Sequence, residues 1–207
     1  MARGVNYAEI NRKAFDNETN AYAVRNAAMN AMLRRKLDDF SAELPSKRVL
    51  DVACGHGREA AYLSSRGYRV HGIDISERML AIARKTAPGA TFEHRDFTTL
   101  DEKDAYDGVW CNAGLFFVPK DVARDVLARF SDALRPAGVL YVSIKEGMGG
   151  GVTFDEKDGV EKYKVFYTPD EIVGMVETAG FSIIRLYDID QTPGHPEKWF
   201  ALLARKP

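Results

Sequence analysis

Five short apolar runs, Arg48–Ala53, Arg69–Ile73, Thr91–Arg95, Asp107–Cys111 and Val139–Lys145, are interleaved with helical patterns at Arg58–Arg66, Ser76–Thr86 and Lys120–Leu134. Strands joined through helices of about ten to fifteen residues lie parallel, and right-handed crossovers put those helices on both faces of one sheet. Beyond Lys145 the rhythm resumes with a helix at Pro169–Ala179 and strands at Ser182–Ile189 and Lys198–Ala204. Only Asp190–Glu197 separates those last two strands, too little for a crossover helix, so they are predicted to be antiparallel. The pattern therefore predicts an α/β fold, a doubly wound, mostly parallel seven-stranded sheet with a C-terminal antiparallel hairpin. Ser76, and Thr168-Pro169 with Glu171 nearby, supply helix starts.

A chain of 207 residues is long enough for one sizeable core, and it reads as a single domain. Residues 1–45 form a helical cap, with Tyr7, Phe15 and Tyr22 in its Asn6–Phe40 stretch, and residues 46–145 form the core. Residues 146–167, "EGMGGGVTFDEKDGVEKYKVFY", are a lid-like insertion, since a connection this long in a compact domain is usually a lid or binding loop. Residues 168–207 close the fold with a helix and the hairpin. The 29 basic and 30 acidic side chains give a formal charge of −1, which offers no broad basic face to a nucleic acid. No run approaches the roughly 20 apolar residues that cross a bilayer, and the N-terminal stretch lacks a signal-peptide core. Cys54 and Cys111 stand alone, which rules out a disulfide framework or a four-cysteine zinc site, and no metal is expected. A cytoplasmic protein that meets neither nucleic acid nor membrane is the expectation; oligomeric state is not legible.

The first strand runs into "VLDVACGHGREAAYL", where Gly55 and Gly57 separate strand from helix. In an open α/β sheet, ligands bind at the carboxyl ends of strands beside the point where strand order reverses. Glycine there lets backbone approach a ligand, although any strand-to-helix turn can use glycine. The next acidic residue sharpens the reading. Asp74 ends the second strand, 23 positions after Asp51, the place from which a carboxylate accepts both hydroxyls of a ribose. Its competing role is to start the helix near Ser76. Asp96 ends the third strand and can receive the exocyclic amine of an adenine, with Phe97 beside it.

The segments "VLDVACGHG", "VHGIDIS", "FEHRDF", "YDGVWCNAGLFFVP" and "ALRPAGVLYVSIK" resemble, in order and interval, the motifs of the class I S-adenosylmethionine-dependent methyltransferases, which have a Rossmann-like sheet. The likeness is to small bacterial members with a helical N-terminal cap. It implies that Asp51, Gly55 and Gly57 surround the methionine part of the cofactor, that Asp74 holds the ribose, and that Asp96 and Phe97 hold the adenine. Asn112 then lies beside the sulfonium, and Tyr22, Ala53, His56, Ile75 and Met79 complete the cofactor set. Ala53 stands where the family often has its first glycine. A dehydrogenase, which needs a third glycine for a pyrophosphate, meets Ala60 at that position.

Methyl transfer needs alignment of acceptor and sulfonium, and a base only where the acceptor holds a proton of high pKa. The expected function is transfer to a small-molecule acceptor contacted by Phe116, Phe117, Lys145 and Tyr167, with Tyr163 as a further acceptor contact, Arg25 as a partner of the cofactor's carboxylate and His195 as candidate base. The alternative is a protein that senses the cofactor or performs non-methylating chemistry on it.

Overall fold

The computed structural model describes residues 5–156, 159–188 and 198–207. Two helices open the chain, α1 (Tyr7–Arg25) and α2 (Ala31–Glu43), where the sequence pattern reads as one helical stretch. Asparagines make the break. The Asn26 side chain donates to the Tyr22 carbonyl at 2.9 Å, and Asn30 Oδ1 accepts the Leu33 N–H at 2.8 Å. Such side chains compete with the helical ladder and favour ends over interiors.

The alternation then follows as β1 (Arg48–Val52), α3 (Arg58–Ser64), β2 (Arg69–Asp74), α4 (Glu77–Thr86), β3 (Thr91–His94), β4 (Tyr106–Asn112), α5 (Lys120–Ala133) and β5 (Leu134–Lys145). After a hairpin, β6 (Gly150–Asp155) and β7 (Val160–Val165), come α6 (Pro169–Thr178), β8 (Ser182–Asp188) and β9 (Trp199–Arg205). Seven strands form one sheet in the order β3-β2-β1-β4-β5-β9-β8. The first five in that order are parallel, and β9 runs antiparallel to both β5 and β8. This is the expected fold. Val49, Leu50 and Val52 are fully buried because helices cover both faces, which is why a central parallel strand reads as a mainly apolar run, here broken only by Asp51.

Strand order reverses between β1 and β4, so their carboxyl ends flank a crevice. Helix starts near it are well capped: Ser76 Oγ accepts the Met79 N–H at 3.1 Å, and Thr168 and Glu171 form a reciprocal capping box. β5 begins at Leu134, five residues before the expected Val139. Its first residue pairs with Tyr106, and an irregularity with Ala137 at φ 62° precedes the regular ladder. That bulge hides the strand behind "RPAG", which reads as a turn.

The insertion is an antiparallel hairpin rather than an irregular loop. It docks on α1 through Asn11, whose Oδ1 accepts the Tyr163 N–H at 2.9 Å and whose Nδ2 donates to the Tyr163 carbonyl at 3.2 Å. The same Nδ2 reaches the Phe117 carbonyl at 3.0 Å. One buried side chain thus satisfies both backbone groups of a β7 residue.

Gly57 has a packing role as well as a turn role. Its φ is +81°, and a Cβ there would stand 3.0 Å from Ala83 on α4. Gly57→Ala is expected to cost about 2 kcal/mol, from the left-handed backbone and the clash. Calorimetry should then show the thermal midpoint lowered by several degrees.

Candidate active site

At the end of β1 the chain turns through left-handed residues, Ala53 (φ 52°) and Gly55 (φ 53°), and at the end of β4 through Ala113 (φ 62°). A left-handed alanine costs roughly 1–2 kcal/mol, and such strain collects at functional sites. Both alanines line one narrow cavity at the crevice. Gly55, Asp74, Ile75, Met79, Asp96, Phe97 and Asn112 form its floor and walls, and Tyr7, Asn11, Phe15 and Tyr22 of α1 reach it from the cap. A Cβ at Gly55 would meet nothing within 4 Å, so the backbone there is open to a ligand.

Asp74 is 8% exposed. Its Oδ2 accepts the Gly55 N–H at 2.9 Å and its Oδ1 the Ser76 N–H at 2.8 Å. The two readings of this residue therefore coexist: it fixes the turn and the helix approach, while Ser76 itself caps α4. A carboxylate has about four acceptor directions, so two remain for a ligand. Burial pushes its pKa up to about 6 although the two backbone donors oppose the shift.

Asp51 on β1, an expected cofactor contact, does not line this cavity; it is 2% exposed, and its Oδ2 has no hydrogen-bond partner among the described residues. Burial, then Glu59 and Asp74, hold its carboxyl well above the ordinary range. Glu59 accepts from Arg58 at 2.6 Å and from Asn112 Nδ2 at 2.9 Å, and Asn112 Oδ1 accepts the Ser143 hydroxyl at 2.7 Å. Arg58 also donates to the Asn26 carbonyl at 2.8 Å. Asp51 thus lies between two further buried carboxylates, Glu59 and Asp74, with Arg58 paired to Glu59, an arrangement that favours a cationic ligand. Asp96 Oδ1 accepts the Thr98 N–H at 2.9 Å, which holds Phe97 against the cavity.

A wider cavity of about 750 Å³ continues from the narrow one and shares Phe15, Tyr22, Asn112, Ala113 and Phe117 with it. Phe116, Ser143, Lys145, Trp199, Arg25 and Lys36 line it, together with Lys162 and Lys164 of the hairpin. Tyr22 faces both cavities, and its burial raises its pKa to about 12. Lys145 Nζ lies 5.9 Å from the Phe116 ring centroid and 5.4 Å from that of Trp199.

Besides Asp51, four expected contacts line neither cavity. Tyr167 lines neither cavity: a bridge to Glu146 and the cap at Thr168 draw it into the core, where it is fully buried. Tyr163 lines neither as well, its ring packing on Tyr7 at 5.7 Å. Gly57 faces Ala83. His56 packs edge-on against Tyr22 at 6.0 Å and lines a separate shallow groove, its pKa lowered by burial. His195 is outside the described residues. Sequence reasoning passed over Glu59, whose signal was an acidic residue in the first turn of α3. It also passed over Asn11, Phe15 and Tyr7 as residues lining the cavity, although the aromatic spacing Tyr7–Phe15–Tyr22 puts those three rings on one helical face.

Residues 49–138 match the methyltransferase-domain family. Trans-aconitate 2-methyltransferase of Variovorax paradoxus is 36% identical over 118 residues, 54% of this chain and 45% of that protein. Ubiquinone biosynthesis O-methyltransferase of Aeromonas salmonicida is 29% identical over 173 residues, 76% of this chain and 72% of that protein. The chain spans about half the length of several curated relatives it matches. The crystal structure of 1,6-didemethyltoxoflavin-N1-methyltransferase from Burkholderia thailandensis, with 1,6-didemethyltoxoflavin and S-adenosylhomocysteine bound, superposes with a TM-score of 0.78 at 24% identity, covering 100% of this chain and 91% of that one. Among the described residues no helix is long and apolar enough to cross a membrane, and no cluster of His, Cys, Asp and Glu is built for a metal. Residues 49–138 thus match a methyltransferase domain, and the chain has the fold of the solved S-adenosylhomocysteine-bound methyltransferase.

Proposed function

We propose that this protein methylates a small-molecule acceptor, with S-adenosylmethionine in the narrow cavity and the acceptor in the wider one. The observation that carries the reading is the meeting of the two cavities at Asn112 and Ala113. The residues present fit the cofactor. An orphaned carboxylate oxygen on Asp51 and the surrounding acidic cluster suit a ligand carrying a sulfonium and an ammonium. The open backbone at Gly55 admits the amino-acid tail, the free acceptor directions of Asp74 suit ribose hydroxyls, and Asp96 suits an adenine amine. Ile75, Met79 and Phe97 supply apolar walls for the base. When bound, S-adenosylmethionine supplies an electrophilic methyl group.

The protein's part is orientation and exclusion of water. Asn112 is locked by Glu59 and Ser143, so the junction between the cavities is rigid. Phe15, Phe117 and Tyr22 close it with aromatic surface: Phe15 meets Phe117 at 5.1 Å and Tyr22 at 6.0 Å, both edge-on. Proximity and alignment of this kind supply roughly 7–11 kcal/mol in well-oriented cases. The relatives named for trans-aconitate and 1,6-didemethyltoxoflavin favour an acceptor of small-molecule size. The hairpin, packed on α1 and lining the wider cavity, serves this reading as its cover.

Incubation with methyl-labelled S-adenosylmethionine and a fractionated metabolite extract tests the reading. Label is expected in a small product, with S-adenosylhomocysteine formed in equal amount. Cofactor that stays intact in every fraction, or is consumed without S-adenosylhomocysteine appearing, would favour the sensing or non-methylating alternative.

A further inference from the structure

The wider cavity is lined by Arg25, Arg58, Lys36, Lys145, Lys162 and Lys164 against only Asp155 and Glu156. Most of these charges are met by protein carboxylates. Arg58 pairs with Glu59 at 2.6 Å, Lys162 with Glu18 at 2.6 Å, Lys164 with Asp155 at 2.6 Å, and Arg25 with Glu18 at 3.7 Å. Lys36 differs. It is 5% exposed, faces the cavity, and has no hydrogen bond or carboxylate partner among the described residues; its one recorded contact is the Tyr187 ring, 5.9 Å from Nζ. The nearby acids of α2 are engaged elsewhere, Asp39 with the Tyr187 hydroxyl at 2.9 Å and Arg185 at 2.7 Å, and Asp38 with the Tyr62 hydroxyl at 2.6 Å. An ammonium buried without a counter-charge is costly, and proteins retain one where a ligand completes it. Burial lowers the Lys36 pKa to about 8, which leaves it mostly charged at neutral pH.

Register locates this charge relative to the junction. Tyr187 pairs with Ala201, Ala201 with Ser143, and Ser143 with Asn112, so one row crosses β8, β9, β5 and β4 on a single face. Three strand spacings, about 14 Å, separate the two ends of that row. The aromatic rings of Phe116, Phe117 and Trp199 also face this cavity.

We propose that Lys36 recognises an anionic group of the acceptor, so that the substrate is a planar or aromatic organic acid whose acid group lies away from the atom that receives the methyl. This inference rests on the two-cavity reading above. The test measures by calorimetry the affinity of the full chain, saturated with S-adenosylhomocysteine, for cinnamate, 4-hydroxycinnamate and indole-3-acetate, each beside its primary amide. At least one acid is expected to bind tenfold or more tightly than its amide. Lys36→Met and Lys36→Gln should abolish that preference, Lys36→Arg should keep most of it, and all three should bind S-adenosylhomocysteine as the unmodified chain does. No acid preference in the unmodified chain, or a preference that survives both neutral substitutions, overturns the assignment. Failure of the unmodified chain to bind S-adenosylhomocysteine overturns the cofactor reading, and the Lys36 assignment with it.

Discussion

Asp74→Ala is expected to weaken S-adenosylhomocysteine binding by a hundredfold or more. The carboxylate already holds the Gly55 and Ser76 N–H groups, so its remaining acceptor directions are aimed rather than free to rotate. A hydrogen bond to a charged group contributes about 1.5–3 kcal/mol, and two ribose hydroxyls together would contribute about 3–6 kcal/mol. The pH dependence has a definite sign. Burial raises the Asp74 pKa from 3.8 to about 6, with Asp16 adding to the rise and His94 opposing it. A raised carboxyl pKa favours folding of the ligand-free protein fully below about pH 4, and that contribution is lost as pH rises through about 6. The amount is roughly 3 kcal/mol at 1.36 kcal/mol per pH unit. Hydroxyl donors bind the ionised form, so cofactor affinity should fall as pH drops below 6, and binding at pH 5.5 should release a proton from Asp74. Calorimetry in buffers of different ionisation enthalpy measures that proton. Asp74→Asn should remove the Asp74 component of the release. Equal affinity at pH 5 and pH 7.5, with no proton released, would remove Asp74 from the ribose site.

The parts of the fold legible in the sequence are those set by local periodicity. β1, β2 and β4 are largely buried, so their residues form short, mainly apolar runs, and Ser76 and Thr168 mark helix starts by chemistry confined to a few residues. Residues at the ends of those strands inherit their place, which is why Asp74, Asp96 and Asn112 all come to line the narrow cavity. What sequence reading missed depends on partners distant in the chain. Tyr167 sits in a segment rich in polar residues, yet its bridge to Glu146 turns it into the core. Gly57 and Gly55 look alike in the turn, and only the approach of α4 separates a packing glycine from one open to a ligand. Lys36 reads as an ordinary helix lysine until the fold buries it beside Tyr187 of β8.

Lys162→Met tests how the cap and the hairpin pack together, and its expected cost is about 3 kcal/mol, the low end for removing one partner of a buried ion pair, because Glu18 keeps Arg25 nearby. Lys162 on β7 meets Glu18 on α1 at 2.6 Å, with side-chain exposures of 4% and 2%, and Lys162 Nζ also lies 5.1 Å from the Phe15 ring centroid. Without the lysine, Glu18 retains Arg25 at 3.7 Å, a weaker arrangement. Glu18→Leu should cost less, because Asp155 remains 3.8 Å from Lys162. Combining Glu18→Leu with Lys162→Met should recover much of the loss, since a buried pair replaced by apolar groups of similar size is often neutral. Chemical denaturation measures the three stabilities, and hydrogen exchange should show the opening confined at first to α1 and β7. The functional consequence follows from what α1 carries: Phe15 and Tyr22 line both cavities, so loosening this clamp should weaken cofactor and acceptor binding together while leaving the sheet intact. A Lys162→Met chain as stable as the original, with unchanged exchange in α1, would mean that Asn11 and the aromatic contacts hold the cover without the ion pair.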